Sequence, residues 1–147
     1  MERFRLSEAR CQALVISCSD FRFVSAQRQA RLDLGLENAY DLIARPGGVR
    51  QIVHPTSEAA RQTMDEEIRL LHGLHGFGRV LLMNHMNCGG YQDLTTPDRE
   101  EALHREHLAA ARAILEVRFP ELEIETYLSL IVDDGVEVVR TGRAKGE

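Results

Sequence analysis

The chain has 147 residues, of which 44% are hydrophobic and 28% are charged, as is typical of one globular domain with its own core. Its formal net charge of -5 and its lack of a basic stripe argue against a nucleic acid or an anionic membrane as a partner, because phosphate groups bind to concentrated positive charge. No apolar run approaches the roughly 20 residues of a membrane span, and no signal-type segment follows the N-terminus. We therefore predict a single cytoplasmic domain over residues 1–147 with reduced cysteines.

The first third of the chain predicts a strand, a helix and a second strand. Residues 12–17 contain a continuous apolar run, which is typical of a strand buried on both faces of a parallel sheet. A helix is expected from about residue 24 to residue 34, where Gly35 ends it. Residues 39–44 then form the second strand.

The remainder of the chain continues the alternation of helices with strands. The predicted elements are a helix from residue 57 to the glycines after residue 72, a strand over 80–83, a helix from 97 to about 117, and strands over 121–132 and 136–139. Asp133-Asp134-Gly135 has the residue types of a hairpin turn between the last two strands. We predict an α/β fold with a mainly parallel sheet flanked by helices and an antiparallel hairpin at its C-terminal edge.

Metal-ligating side chains follow two of the predicted buried strands. Cys18 comes directly after the first strand, and His85 and Cys88 lie three residues apart just beyond the strand over 80–83. Because the carboxyl ends of parallel strands meet at one edge of the sheet, these side chains can converge on one ion. Two thiolates and one imidazole suit Zn²⁺ best, and three protein ligands leave a fourth position open, as in catalytic zinc sites.

Two charged residues lie beside this predicted zinc site. Asp20 is two residues beyond Cys18, so its carboxylate could reach the open position on the metal. Arg22 follows after two more residues and could hold that carboxylate in an ion pair instead. An ion pair that only supports the end of the strand is the alternative interpretation.

These motifs resemble those of the β-class carbonic anhydrases. Residues 18–22 have the pattern Cys-x-Asp-x-Arg, and residues 85–89 have the pattern His-x-x-Cys-Gly. Between them, Arg45-Pro46-Gly47-Gly48 is similar to the Arg-x-x-Gly turn that follows the second strand in the family. The order of predicted elements matches that of the family over roughly residues 12–140.

The resemblance implies one zinc ion per chain on Cys18, His85 and Cys88. Asp20 and Arg22 would form a dyad that orients a zinc-bound hydroxide, which attacks CO₂ to give bicarbonate in a reversible hydration. Members of the family are typically dimers or larger assemblies, so a homodimer or higher homo-oligomer is expected. The residues expected near the substrate are Phe21, Gly47, Gly48 and Gly89.

Two departures from the family pattern leave other functions open. The family's longer members carry a Gly-Gln-x-Pro stretch before the first metal-bearing strand, whereas this chain has Arg-Cys-Gln-Ala at residues 10–13. Phe21 stands where the family usually has a small residue. The alternatives are a related zinc hydrolase acting on CS₂ or COS, and a catalytically silent homologue whose zinc ties two strands together or senses bicarbonate. A redox thiol protein is disfavoured because the chain has no Cys-x-x-Cys pair.

Other polar residues are assigned structural roles. Glu101, His104 and His107 recur at helical spacing among charged residues, which predicts a solvated helix face rather than a second metal site. Cys11 is interpreted as a free thiol. Arg45 lies either near the zinc or in the packing of subunits.

Overall fold

The computed structural model describes residues 1–142 and contains five strands and four α-helices. The strands are β1 (Ala13–Ser17), β2 (Tyr40–Ala44), β3 (Arg79–His85), β4 (Glu123–Val132) and β5 (Gly135–Arg140). The helices are α1 (Val24–Asp33), α2 (Arg50–Val53), α3 (Glu58–His75) and α4 (Glu100–Arg118), and short 3₁₀ turns span Phe21–Phe23, Gly89–Tyr91 and Pro97–Arg99. In these residues no helix is both long and apolar enough to cross a membrane.

The strands form one sheet in the order β2-β1-β3-β4-β5. The first four strands are parallel, and β5 pairs with β4 in the antiparallel direction. This arrangement confirms the predicted mainly parallel sheet with an antiparallel hairpin at its C-terminal edge. Because β1 and β3 are neighbours, with Ser17 beside Met83, the residues that follow these two strands emerge side by side.

Helices cover both faces of the sheet, which explains why β1 is apolar from Ala13 to Ile16. Ala13 and Val15 belong to a hydrophobic cluster on the face covered by α1. Leu14 and Ile16 belong to a larger cluster on the opposite face, which α2, α3 and α4 cover. Every residue of β1 is buried, as expected for a strand in the middle of a doubly covered parallel sheet.

The ends of α3 have the chemistry expected from the sequence. The Oγ of Ser57 accepts a hydrogen bond from the backbone N of Ala60 at 3.0 Å and caps the amino end of the helix. Gly76 ends the helix in the left-handed conformation, with a φ of 66°.

The structure differs from the sequence prediction at the end of β3 and at α2. Strand β3 continues two residues past Met83, because Asn84 and His85 pair with Leu128 and Ser129 of β4. His85 is therefore held by the sheet rather than by a loop. Helix α2 was not predicted, since its four residues are too short to show a helical period.

Candidate metal centre

The structure brings Cys18, His85 and Cys88 together at the carboxyl edge of the sheet. Cys18 follows β1 directly, His85 is the last residue of β3, and Cys88 lies in the turn that leaves β3. The Sγ atoms of the two cysteines are 3.8 Å apart, and the three potential ligand atoms all lie within 4.8 Å of one another. The geometry is that of a three-ligand metal site built on two adjacent strands.

The imidazole of His85 is oriented for metal binding. Its ring stacks on Phe23 with 4.1 Å between ring centroids, and its Nδ1 lies 2.7 Å from the carbonyl oxygen of Met86. Nδ1 therefore carries the ring proton and donates a hydrogen bond to that carbonyl, which leaves a lone pair on Nε2. This Nε2 is buried and has no hydrogen-bond partner among the described residues. An unsatisfied buried polar atom is costly, and a metal ion beside the two sulfurs would satisfy it.

The two thiols already share a negative charge without a metal. The hydrogen bond from Cys88 lowers the pKa of Cys18 to about 4, whereas burial opposes the shift. The pKa of Cys88 is raised, because its thiol is the donor in this bond and is buried. A divalent cation would favour the thiolate form of both cysteines. The donor set of two sulfurs and one nitrogen fits Zn²⁺.

Arg22 holds Asp20 in a bidentate ion pair at the edge of this centre. Arg22 Nη2 donates to Asp20 Oδ2 at 2.7 Å, and Nε donates to Oδ1 at 3.1 Å. The same guanidinium donates to Asn87, at 2.9 Å to the side-chain oxygen and 3.0 Å to the backbone carbonyl. Arg22 thus connects Asp20 to the turn between His85 and Cys88.

The carboxylate of Asp20 is ionised at neutral pH and faces the metal ligands. The hydrogen bonds from Arg22 lower the pKa of Asp20 to about 2. Its Oδ2 lies 3.9 Å from Nε2 of His85, so one carboxylate oxygen borders the space in front of the three ligands. The structure therefore shows Asp20 paired with Arg22 beside the three potential ligands.

The residues predicted near the substrate differ in their surroundings. The side chain of Phe21 is 83% exposed. Gly48 has a φ of +54°, and a Cβ at this position would lie 2.5 Å from Oδ1 of Asn84, so the backbone approaches the end of β3 closely. Gly47 precedes it in the same buried turn. A Cβ at Gly89 would have no neighbouring atom within 4 Å.

Arg45, which was expected either near the zinc or in subunit packing, makes its ion pair with Glu67 of α3. Its backbone N donates to the carbonyl oxygen of Ser17 at 2.9 Å, which joins the ends of β1 and β2. In the described chain its side chain therefore contacts α3 rather than the metal ligands.

Glu100, the first residue of α4, holds the turn that carries Cys88. One carboxylate oxygen accepts from the backbone N of Asn87 at 3.0 Å, and the other accepts from the backbone N of Cys88 at 2.8 Å. The Nε2 of His104, one helical turn further on, lies 2.9 Å from the second oxygen. Sequence reasoning missed Glu100, because it treated this residue as one of the charges on a solvated surface.

The prediction that His104 and His107 lie on a solvated helix face is wrong. His104 is fully buried, its Nδ1 accepts from Nδ2 of Asn84 at 3.0 Å, and burial lowers its pKa. His107 is half-buried, with its Nδ1 2.9 Å from the hydroxyl of Tyr91, and only Glu101 of the three predicted residues is exposed.

A sequence signal for the buried position of His104 did exist. His104 lies four residues before Leu108 and falls on the stripe that continues through Ala111 and Leu115, all of which are buried. Asn84 links this stripe to the first half of the chain, because its Oδ1 accepts from the backbone N of Val49 at 3.1 Å. The polar network therefore ties α4 and α2 to the end of β3.

Comparisons with known sequences place the chain in a family. Residues 8–140 match the sequence model of the family described as "Putative carbonic anhydrase". An uncharacterised protein of Rickettsia bellii is 32% identical over 129 residues, which cover 84% of this chain and 77% of that protein. An uncharacterised protein of Rickettsia conorii is 31% identical over 129 residues, which cover 84% of this chain and 68% of that protein.

Solved structures of β-carbonic anhydrases share the fold. The β-carbonic anhydrase isoform I of Trichomonas vaginalis has a TM-score of 0.61 at 15% identity, with 97% of this chain and 90% of that chain covered. A carbonic anhydrase of Streptococcus mutans has a TM-score of 0.57 at 14% identity, with 97% and 87% covered. Since the family match spans most of the chain and the sheet agrees with these structures, this protein belongs to that carbonic anhydrase family and has the β-carbonic anhydrase fold.

Proposed function

We propose that this protein catalyses the reversible hydration of CO₂ to bicarbonate with one Zn²⁺ held by Cys18, His85 and Cys88. The observation that carries the proposal is the buried Nε2 of His85, which lacks a partner in the described chain and faces two thiols. Membership of the carbonic anhydrase family supports the same reaction. Bound at this position, Zn²⁺ would lower the pKa of a water molecule from 15.7 toward about 7 and so supply the nucleophile near neutral pH.

The residues around the ligands prepare them for this chemistry. The bond from His85 Nδ1 to the carbonyl of Met86 selects the tautomer whose Nε2 can bind the ion. Glu100 accepts from the backbone N of Cys88, which sets the direction of the thiolate. Such supporting contacts hold the ligands in place before the metal arrives.

Asp20 and Arg22 would position the attacking water and the substrate. The ionised Asp20 carboxylate would accept a hydrogen bond from the water and so orient its oxygen toward the carbon of CO₂. Arg22 keeps the carboxylate off the metal, because both Asp20 oxygens accept hydrogen bonds from its guanidinium. The positive charge of Arg22 also favours the bicarbonate that forms beside it.

A stopped-flow assay of CO₂ hydration tests the proposal on protein whose zinc content has been measured. We expect one zinc per chain at the Cys18, His85 and Cys88 site and hydration well above the uncatalysed rate at neutral or alkaline pH. A fully loaded centre without hydration at either pH would contradict the proposal. Parallel assays with COS and CS₂ would then test the hydrolase alternative, and inactivity on all three gases would favour the silent homologue.

The structure weakens one argument for the hydrolase alternative. That argument rested on Phe21 narrowing the pocket, and the side chain of Phe21 is 83% exposed in the chain. CO₂ stays the proposed substrate because the chain belongs to the carbonic anhydrase family. The expected homo-oligomer and the cytoplasmic location stay predictions from the sequence.

Asp20→Asn should keep the zinc and lower the hydration rate by about 10- to 100-fold, the usual effect of altering a group that supports a metal site. The amide removes the negative charge that would accept a hydrogen bond from the water, and it leaves the three proposed ligands in place. Because the pKa of Asp20 is about 2, the wild-type carboxylate is ionised throughout a pH 6–9 assay. A pH-rate profile with zinc analysis checks both expectations, and Asp33→Asn at the far end of α1 is the control. An unchanged rate and profile would remove Asp20 from the mechanism.

A further inference from the structure

A second group of metal-ligating side chains lies at the opposite end of the sheet. Cys11 is two residues before β1, Asp41 is the second residue of β2, and His75 is the last residue of α3. The Sγ of Cys11 is 3.7 Å from Oδ2 of Asp41, and Nδ1 of His75 is 2.7 Å from the same oxygen. All three ligand atoms lie within 4.8 Å of one another, as in the centre at the carboxyl edge.

The backbone fixes this convergence. The backbone N of Cys11 donates to the carbonyl oxygen of His75 at 3.1 Å, which ties the segment before β1 to the end of α3. The backbone N of Gln12 donates to the carbonyl oxygen of Ala39 at 2.8 Å, just before β2. The three side chains therefore start from backbone positions that main-chain hydrogen bonds already hold together.

We propose that Cys11, Asp41 and His75 form a second Zn²⁺-binding site, separate from the carbonic anhydrase centre. Sulfur, nitrogen and carboxylate ligands at 2.0 to 2.3 Å from a tetrahedral zinc ion are about 3.3 to 3.8 Å apart. The distance of 3.7 Å between Cys11 and Asp41 already fits this spacing. The His75 to Asp41 contact would lengthen by roughly 0.6 Å as the ion replaces the shared proton. When zinc binds, the thiol proton leaves to solvent, and the Nδ1 proton of His75 is exchanged through solvent so that the neutral ring carries its proton on Nε2.

The surroundings admit an ion together with water. The cluster borders a cavity of about 140 Å³, which Glu8 and Arg10 also line. Glu8 adds a carboxylate to this lining, whereas the positive charge of Arg10 disfavours a cation. We expect weaker zinc binding than at the carbonic anhydrase centre, because this site offers one thiolate where that centre offers two.

A reactive thiol is a poorer explanation of the cluster. Burial and the neighbouring charge of Asp41 raise the pKa of Cys11, which disfavours the free thiolate needed for nucleophilic or redox chemistry. A metal ion stabilises the thiolate that these surroundings otherwise disfavour.

The second site is independent of the proposed hydratase activity. Cys11 and Cys18 flank β1 on opposite sides, and seven residues of extended chain span roughly 20 Å. Zinc at Cys11 would connect the segment before β1 to β2 and α3, which points to a stabilising role. The proposal of CO₂ hydration and the proposal of a second zinc site can each fail without affecting the other.

Cobalt titration of the full chain tests the second site, because thiolate-to-Co²⁺ charge transfer reports sulfur ligation. The chain has three cysteines, so the double variant Cys18→Ser, Cys88→Ser retains Cys11 as its sole thiol. We expect one Co²⁺ per chain with the absorbance of a single thiolate. Adding Asp41→Asn or His75→Gln should weaken this binding by about tenfold or more, since each removes one ligand. His72→Gln, one turn earlier on α3, is the matched control and should leave binding unchanged.

A second measurement covers the case in which the double variant does not fold. Wild-type protein loaded with one zinc should take up a second equivalent of Co²⁺ with a thiolate band, and Cys11→Ser should abolish that band without changing CO₂ hydration. The proposal is overturned if Cys11→Ser keeps the second band. It is also overturned if Asp41→Asn and His75→Gln bind Co²⁺ as tightly as the parent.

Discussion

Cys88→Ser should abolish both stable zinc binding and CO₂ hydration. A serine hydroxyl does not ionise near neutral pH, so the centre loses one of its two thiolates and retains Cys18 and His85. Changes to groups that only support a metal site commonly cost about 10- to 100-fold in affinity or activity, and loss of a ligand should exceed that range. We expect hydration to fall to the uncatalysed background.

Zinc analysis after gel filtration and stopped-flow hydration check this result together. Cys11→Ser is the matched control, because it removes a thiol at the opposite end of β1 and should keep full hydration. Hydration by Cys88→Ser at more than about a tenth of the wild-type rate would remove Cys88 from the proposed ligand set. Circular dichroism should show that the variant retains its secondary structure.

Gly90→Ala should destabilise the fold by about 1–3 kcal/mol, the usual cost of forcing an extra methyl group into a packed site. A Cβ at Gly90 would lie 2.7 Å from the backbone N and 2.8 Å from the Cα of Gly47. Both are backbone atoms, so no side-chain rotation relieves the overlap. The turn after Cys88 and the turn after β2 must move apart, which strains the hydrogen bond of 2.6 Å from Arg50 to the carbonyl oxygen of Gly90.

Gly89→Ala is the control for this substitution, because a Cβ at Gly89 has no neighbouring atom within 4 Å. Its stability should stay within about 0.5 kcal/mol of wild type. Thermal unfolding of both variants at equal zinc occupancy makes the comparison. A destabilisation by Gly89→Ala as large as that by Gly90→Ala would show that the close approach to Gly47 is not the cause.

The buried strands and the ligand positions were predictable from the sequence for a simple reason. A strand covered on both faces has no polar face, so β1 appears as an apolar run from Ala13 to Ile16 that ends two residues before Cys18. His85 and Cys88 follow the next such run, and parallel strands deliver such residues to one edge. The proximity of the three ligand atoms could therefore be predicted from the two apolar runs and from the rule that parallel strands end at the same edge of the sheet.

The surroundings of His104 show where this reasoning failed. Charged residues flank His104 in sequence and suggested a solvated surface. The side chain is instead buried between Glu100 and Asn84, which it contacts at 2.9 and 3.0 Å. A buried polar residue is stable only with suitable partners, and Asn84 lies 20 residues away on β3. Local patterning does not report whether such a partner exists.

By itself, the sequence determined the α/β class, the buried strands that lead into metal-ligating residues, and the residues of the candidate centre. Each of these depends on hydrophobic runs and on residue spacing within one element. Only the tertiary structure decided that Arg22 reaches Asn87, that Glu100 holds the Cys88 turn, and that Cys11 meets Asp41 and His75. Each of these contacts joins residues from different elements. Their distances depend on how the sheet and helices pack, which no local pattern contains.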